Sequence, residues 1–193
     1  VAQRKTIDVL TAIWVRSEKR TPQIRKEALD LFPTTTKPEE RLWLHYGMTL
    51  VSYPLFRKCV MAIGQASRME DTVTRKWMKD RMIAEFGHLG GLDRSIERIM
   101  ASLTNWGLLS ATKDRHIYQI DKRRYFAGDA LQSWLLTCAL YAHPSDGIPF
   151  FDLIHLPELY PFNLSIGVDG VQKDKRFEVY RQGGGYDLVK LHH

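Results

Sequence analysis

The chain has 193 residues, of which 44% are hydrophobic and 26% charged; these proportions are ordinary for a folded globular protein and exclude an intrinsically disordered one. Its two cysteines, Cys59 and Cys138, are too few and too scattered for a disulfide framework or a zinc site. Its longest apolar run, Trp134 to Ala142, is far shorter than the roughly 20 residues of a membrane helix. We therefore expect a cytoplasmic protein with no membrane partner. The net charge is +6. Residues 51–128 carry 14 Lys and Arg against 8 Asp and Glu, whereas residues 129–193 carry 5 against 8. This distribution is expected of a protein with a nucleic-acid-binding surface in the middle of its chain.

Four amphipathic segments before residue 65 are predicted to be helices. A hydroxyl residue followed by proline gives a typical start signal, as in Thr21-Pro22. The predicted helices are Thr6 to Val15, Gln23 to Leu31, a helix opened by Thr36 and Pro38 that runs through Tyr46, and a helix that begins at Ser52-Tyr53-Pro54. Because Arg4 and Lys5 precede an amphipathic stretch rather than an apolar block, we expect no signal peptide.

A cationic helix is predicted from Val73 to Phe86. Thr72 is the expected N-cap, and Gly87 is expected to end the helix. The cationic residues on its outer positions are Arg75, Lys76 and Lys79. The turn His88-Leu89-Gly90-Gly91 then leads into a second helix, as in a helix-turn-helix pair.

The stretch from Gly91 to Ile120 is the most informative part of the chain. Asp93 stands in an N-cap position after two glycines, and Gly107 stands where a left-handed helix stop is expected. Between them an apolar stripe recurs at helical spacing, formed by Ile96, Ile99, Met100 and Leu103. Two short strands, Leu108 to Ser110 and His116 to Ile120, are predicted around the polar turn 112–115. The sequence therefore predicts a short helix that runs into a small hairpin.

Residues Thr72 to Ile120, about a quarter of the chain, resemble the winged helix-turn-helix superfamily. The resemblance is carried by the segment SLTNWGLLS, which follows a cationic helix, and by the strand HIYQI. It implies a DNA-binding module, usually dimeric and most often part of a bacterial regulator. The surrounding chain departs from such regulators, because four helices precede the module, an aromatic-rich segment follows it, and the long dimerisation helix is absent.

The residues off the apolar stripe of the second helix are small or cationic, which suits a helix that enters a DNA major groove. Lys113 and Arg115 lie at the predicted wing tip, where a phosphate or minor-groove contact would fall. The candidate DNA-binding residues are Arg75, Lys76, Arg94, Ser95, Arg98, Lys113, Arg115, Arg123 and Arg124. For Arg123 and Arg124, a phosphate clamp and a solvated turn are equally consistent with the sequence. The whole basic face is also consistent with an ordinary solvated surface.

Residues 129–193 are predicted to form helices and one hairpin. The helix Asp129 to Tyr141 is apolar nearly all round, which predicts a buried or domain-bridging helix. The other predicted elements are the helices Phe150 to Leu156 and Asn163 to Lys173, and the strands Phe177 to Arg181 and Tyr186 to Lys190, joined through Gly183-Gly184-Gly185. Since this end of the chain repeats the order helix then hairpin, a second, degenerate winged helix is an open interpretation.

The expected fold is mainly α-helical with small β-hairpins. We divide it into an N-terminal helical region (1–64), a winged helix-turn-helix (65–128) and a C-terminal helical and hairpin region (129–193). The sequence contains no dinucleotide-binding glycine motif, no Walker loop and no His-Glu-x-x-His, and its histidines are isolated. We therefore expect a non-enzymatic protein without a cofactor or metal.

Two functions are predicted from these patterns. The first is duplex DNA binding by a prokaryotic regulator or DNA-processing accessory protein. The alternative is a winged helix that binds protein partners within a larger DNA-processing or phage-defence complex. It is motivated by four aromatic residues that would form a partner surface if they were exposed, Phe150, Phe151, Tyr160 and Phe162.

Overall fold

The computed structural model describes residues 11–15, 19–181, 183 and 185–192. The helices in this part are α1 (Pro22–Leu31), α2 (Pro38–Ser52), α3 (Pro54–Ala66), α4 (Arg75–Phe86), α5 (Leu92–Asn105), α6 (Asp129–Ala142), α7 (Phe150–Ile154) and α8 (Val168–Lys173). The strands are β1 (Thr72–Thr74), β2 (Leu109–Ala111), β3 (Ile117–Ile120), β4 (Gly147–Pro149), β5 (Phe177–Arg181) and β6 (Asp187–Leu191). The expected mainly α-helical fold with small antiparallel β elements is confirmed.

The chain folds into two compact units, each built from separate stretches of sequence. The first unit comprises Val1–Pro54, Phe126–His155 and Leu164–His193, and the second comprises Leu55–Tyr125 and Leu156–Asn163. This grouping by contacts differs from the three consecutive segments drawn from the sequence. The short second stretch of the second unit, residues 156–163, is called the strap below.

The core of the first unit forms where α2 packs on α6. Every residue from 131 to 140 is buried, which confirms the expectation of a helix enclosed on all sides. The helices approach closely at Gly47, where a Cβ atom would lie 2.5 Å from the ring of Trp134. The indole nitrogen of Trp134 donates a hydrogen bond to the carbonyl oxygen of Ile24 at 3.1 Å, so this buried polar group is satisfied by α1.

The element order helix, strand, helix, helix, strand, strand occurs once in each unit. In the second unit it is α3, β1, α4, α5, β2, β3, and in the first unit it is α6, β4, α7, α8, β5, β6. The two sheets have the orders β1-β3-β2 and β4-β6-β5, so the last strand is central in both. The fold therefore contains one topology twice.

The sequence placed the start of α4 wrongly. Thr72 and Val73 belong to β1, where Val73 is buried and lies opposite Tyr118 of β3. The helix begins at Arg75, and its N-cap is Thr74, whose hydroxyl accepts a hydrogen bond from the backbone N–H of Trp77 at 3.0 Å. Pairing with β3 delays the helix because those residues must remain extended to complete the ladder.

The start of α5 also differs from the prediction. The N-cap is Gly91, whose φ of 84° lies in the left-handed region, and Asp93 instead lies in the first helical turn. A side chain at Gly91 would be strained in this conformation, which explains why glycine stands there. At the other end the expected left-handed stop at Gly107 is confirmed by its φ of 74°.

Three other predicted helices differ in length. The C-terminal helices are shorter than Phe150 to Leu156 and Asn163 to Lys173: α7 ends before the strap, and α8 begins only at Val168. The predicted helix Thr6 to Val15 lies partly outside the described residues, and Thr11–Val15 form a single π-helical turn. None of the described helices combines the length and apolar character needed to cross a bilayer.

The strap is held on the second unit by a buried ion pair and by backbone contacts. Nε and Nη2 of Arg57 donate to Oε1 of Glu158 at 2.9 and 2.6 Å, and these side chains are only 9% and 1% exposed. Tyr125 exchanges backbone hydrogen bonds with the strap, donating to the Pro161 oxygen at 3.2 Å and accepting from the Asn163 nitrogen at 2.8 Å. These bonds tie α3 and the segment after β3 to one short stretch of chain.

The four aromatic residues that motivated a partner surface do not form one. Phe151 is exposed (70%), whereas Tyr160 and Phe162 are buried in the second unit as part of the strap. The ring of Phe162 packs against Tyr125, with 5.9 Å between ring centroids. The apolar surface of Tyr160 and Phe162 is therefore covered within the second unit, while that of Phe151 remains exposed.

Candidate nucleic-acid interface

Helix α5 has one buried face and one exposed, cationic face. Its buried residues are Leu92, Ile96, Met100 and Leu103, while Ile99, which was expected on the same stripe, is half-buried. The opposite face carries exposed residues at spacings of four, three and four, namely Arg94, Arg98, Ala101 and Asn105. We call this the outer row of α5. The predicted outward direction of the two arginines agrees with this geometry.

Two ion pairs join α4 to α5. Nη1 of Arg75 lies 3.2 Å from Oε1 of Glu97, and Nζ of Lys79 lies 2.8 Å from Oδ2 of Asp93. Because both carboxylates of α5 are engaged in this way, neither neutralises the outer row. The first of these pairs engages Arg75, so its guanidinium is less available to a phosphate than the ammonium group of Lys76, the other predicted phosphate ligand on α4.

Several predicted site residues have exposed side chains and form no ion pair within the described ranges. They are Lys76 at the start of α4, Arg94 and Arg98 on α5, and Lys113 and Arg115 in the hairpin turn. Ser95 lies beside the outer row and is half-buried. The exposed charge on this part of the second unit is therefore predominantly positive.

Hydrogen bonds define the backbone conformation of the hairpin turn that carries Lys113 and Arg115. The hydroxyl of Thr112 donates to the carbonyl oxygen of Asp114 at 2.9 Å, and Oδ1 of Asp114 accepts from the backbone N–H of His116 at 2.9 Å. The backbone N–H of Arg75 donates to the His116 carbonyl at 3.0 Å, which joins the base of the turn to the start of α4. The turn and both helices thus form one continuous framework within the second unit.

Arg123 and Arg124 are both exposed, and the guanidinium of each lies over a tyrosine ring. The guanidinium of Arg123 is 5.2 Å from the ring centroid of Tyr125, and its Nη2 lies 3.2 Å from Oδ2 of Asp121. The guanidinium of Arg124 is 5.1 Å from the ring centroid of Tyr160 on the strap. Burial raises the pKa of the Tyr160 hydroxyl to about 12, although the positive charge of Arg124 acts in the opposite direction.

Sequence patterns did not reveal all of the residues that shape this surface. Asn105 continues the outer row, and its spacing of eleven residues from Arg94 would have identified it. Glu97 and Asp93 control which cations are free, but their partners lie on another helix. Tyr160 contacts Arg124 from a segment 36 positions away, for which the sequence offers no signal.

The arrangement offers cationic and hydrogen-bonding groups on an exposed surface. Among the described residues, no three side chains of His, Cys, Asp or Glu converge as they would around a metal ion. No protein-family model, curated protein or solved structure significantly matches this chain. The exposed side chains of the site can form ionic contacts and hydrogen bonds.

Proposed function

We propose that the second unit is a winged helix-turn-helix that binds duplex DNA, with α5 as the recognition helix and the β2–β3 hairpin as the wing. The observation that carries this proposal is the outer row of α5. It presents two arginines, one turn apart, beside the small side chain of Ala101, on a helix whose opposite face is buried. Small and cationic side chains on an exposed helix permit close approach to a major groove.

The proposed contacts divide between bases and phosphates. Arg98 and Arg94 reach guanine edges or the flanking phosphates, because a guanidinium can donate two hydrogen bonds to the O6 and N7 atoms of guanine. Lys113 and Arg115 on the wing and Lys76 at the start of α4 hold phosphates and set the position of the duplex. Arg75 contributes less while it is paired with Glu97.

The first unit repeats the topology without a comparable cationic helix. Its α8, which occupies the position of α5 in the element order, has only six residues, and residues 129–193 carry 5 Lys and Arg against 8 Asp and Glu. We therefore extend the winged-helix proposal to the fold of this C-terminal part but not to DNA contact. A role as a prokaryotic regulator or as a DNA-processing accessory protein is part of the same proposal.

The test is a fluorescence-anisotropy titration of a labelled random-sequence duplex at 50 and 200 mM salt. Binding is expected at the lower salt and is expected to weaken steeply at the higher, since each neutralised phosphate releases condensed counterions. The double variant Arg94→Ala/Arg98→Ala should lose most of the affinity. The matched control Lys173→Ala/Arg181→Ala removes two exposed cations from the first unit and should bind like the unmodified protein.

Two results would overturn the proposal. One is the absence of binding at 50 mM salt by the unmodified, folded protein. The other is an equal loss of affinity in the α5 variant and in its control, since that would indicate attraction by net charge rather than by the outer row.

A further inference from the structure

We propose that Arg124 is an additional phosphate-binding residue of the DNA site and that Tyr160, on the strap, is its positioning residue. This inference rests on the proposed function and deepens it, because it makes one DNA contact depend on a segment, the strap, that lies far from the winged helix in sequence. It also distinguishes Arg124 from its neighbour Arg123, which the sequence could not do.

The two adjacent arginines differ in how much of their charge is available. Arg123 is paired with Asp121, and its guanidinium also fills the space beside Gly107, where Nη2 would lie 3.2 Å from an added Cβ atom. This position is close to the carboxyl end of α5, where a positive charge stabilises the helix. Arg123 therefore has a sufficient structural role, and its charge is largely balanced.

Arg124 has no carboxylate within ion-pair distance in the part of the chain that the structure describes, and its side chain is exposed. Its guanidinium lies over the ring of Tyr160, which is itself only 8% exposed. A guanidinium held against a buried ring has already lost part of its rotational freedom, so less entropy is lost when it binds a phosphate. The geometry thus combines an available charge with a defined position.

The ring of Tyr160 is in turn held rigidly by the strap. Its hydroxyl donates to the carbonyl oxygen of Asp121. The strap is anchored on α3 by the buried pair of Arg57 and Glu158, and the carbonyl of Pro157 lies against Gly64, where any Cβ atom would clash with it. A side chain supported in this way keeps its orientation more firmly than one on a free loop.

The length of chain between the wing and Arg124 limits how far apart their contacts with one duplex can lie. An extended strand rises about 3.3 Å per residue, so the nine positions between Arg115 and Arg124 span at most about 30 Å. One turn of B-DNA is about 34 Å long. Contacts at the wing tip and at Arg124 can therefore fall within one helical turn of a single duplex.

The primary experiment compares the salt dependence of duplex binding by Arg124→Ala and by the control Arg123→Ala, using the same labelled random duplex. Loss of one phosphate contact should reduce the slope of log K against log salt by about one and lower the affinity by about five- to tenfold at 100 mM salt. Arg123→Ala should keep the slope of the unmodified protein. An unchanged slope in Arg124→Ala, in a protein that otherwise binds DNA, would overturn the inference and leave the proposed function intact.

The positioning role of Tyr160 needs a readout that a purely structural role would not change. Tyr160→Leu should reduce the salt slope as much as Arg124→Ala does, and the double variant should show no further reduction, because both changes remove the same contact. Tyr160→Phe keeps the ring but removes the hydroxyl that donates to the Asp121 carbonyl, so its slope should lie between that of Tyr160→Leu and that of the unmodified protein. Additive effects in the double variant would overturn the positioning role.

A further variant tests positioning without altering the strap. Arg124→Lys keeps the charge but replaces the flat guanidinium with a compact ammonium group that cannot stack in the same way. We expect a weaker affinity than that of the unmodified protein and a salt slope reduced as in Tyr160→Leu, because the ammonium group is not positioned by the ring. Affinity equal to that of the unmodified protein would show that the ring does not position the cation, whatever the fate of Tyr160→Leu.

Discussion

Arg94 and Arg98 lie four residues apart on an exposed helix face that needs no positive charge for its stability. Both carboxylates of α5 pair with cations of α4, so the two arginines gain no ion pair from their own helix. Alanine would form an equally good helix at either position. The fold alone therefore gives no reason for a positive charge at either position.

Replacing Arg98 with alanine should separate function from stability. We expect the free energy of unfolding to change by less than about 0.5 kcal/mol, as is usual for an exposed site, and DNA binding to weaken by roughly 1–3 kcal/mol if the contact is to a guanine edge. A contact to phosphate would instead weaken all sequences alike and reduce the salt slope by about one. Urea unfolding together with binding titrations measures both quantities. A large loss of stability with unchanged affinity of the folded molecules would mean that Arg98 is structural.

The N-cap of α4 gives a second test at the level of single residues. Thr74→Ala removes the hydroxyl that accepts from the N–H of Trp77 and should lower the free energy of unfolding by about 1 kcal/mol. Thr72→Ala changes an exposed position in β1 and should have a much smaller effect. The comparison is made by urea denaturation of the two variants side by side. A larger effect at Thr72 would favour the helix start that the sequence predicted.

The helices with a clear hydrophobic periodicity were predicted from the sequence, whereas the short strands that form by pairing with another strand were not. The apolar stripe of α5 and the nearly continuous apolar surface of α6 identified both helices from the sequence. Strands β1 and β4 have three residues each, too few to show an alternating pattern. They exist because β3 and β6 provide a free edge for them, which depends on tertiary structure.

The sequence predicted the charged residues of the candidate site but not the contacts that they make with one another. The exposure of Arg94 and Arg98 follows from helical spacing alone. The engagement of Arg75 by Glu97 depends on how α4 crosses α5, and that angle is not encoded in any local pattern. The same reason explains why the tyrosine support of Arg124 was not foreseen.

The buried pair of Arg57 and Glu158 predicts a strong dependence of the second unit on the strap. Glu158→Gln leaves the guanidinium buried without a counter-charge and should lower the free energy of unfolding by about 3 kcal/mol. The control Glu85→Gln breaks the more exposed pair of Lys58 and Glu85 and should cost less than about 1 kcal/mol. Denaturant unfolding followed by tryptophan fluorescence measures both. Equal small effects would show that the strap contributes little to the unit.

Considering the whole molecule, acid should destabilise the protein through Asp174 of the first unit. Burial alone would raise the pKa of Asp174, but hydrogen bonds from Arg176 and Ser133 to its carboxylate outweigh that effect and hold the pKa at about 2. Since this value lies below the ordinary 3.8, the carboxylate stabilises the fold above about pH 4, and this contribution is lost as the pH falls towards 2.

Asp174→Asn should therefore flatten the dependence of stability on pH between about 4 and 2. Urea midpoints of the variant and of the unmodified protein, measured across this range, provide the comparison. The variant should be less stable at pH 6, and the difference between the two proteins should shrink as the pH falls. A constant difference across the range would assign the acid sensitivity to other groups.

The alternation of the two units along the chain has a consequence for biosynthesis. Ribosomes add about 5–20 residues per second, so the 30 residues from 126 to 155 delay the strap by roughly 2–6 s after the hairpin of the second unit has been made. During that interval Arg57 has no Glu158 beside it, and the surface of α3 around Gly64 is uncovered. Residues 164–193 complete the first unit later still. The nascent chain therefore exposes partly built surfaces of both units at once, which is the condition under which chaperones engage a polypeptide before its release.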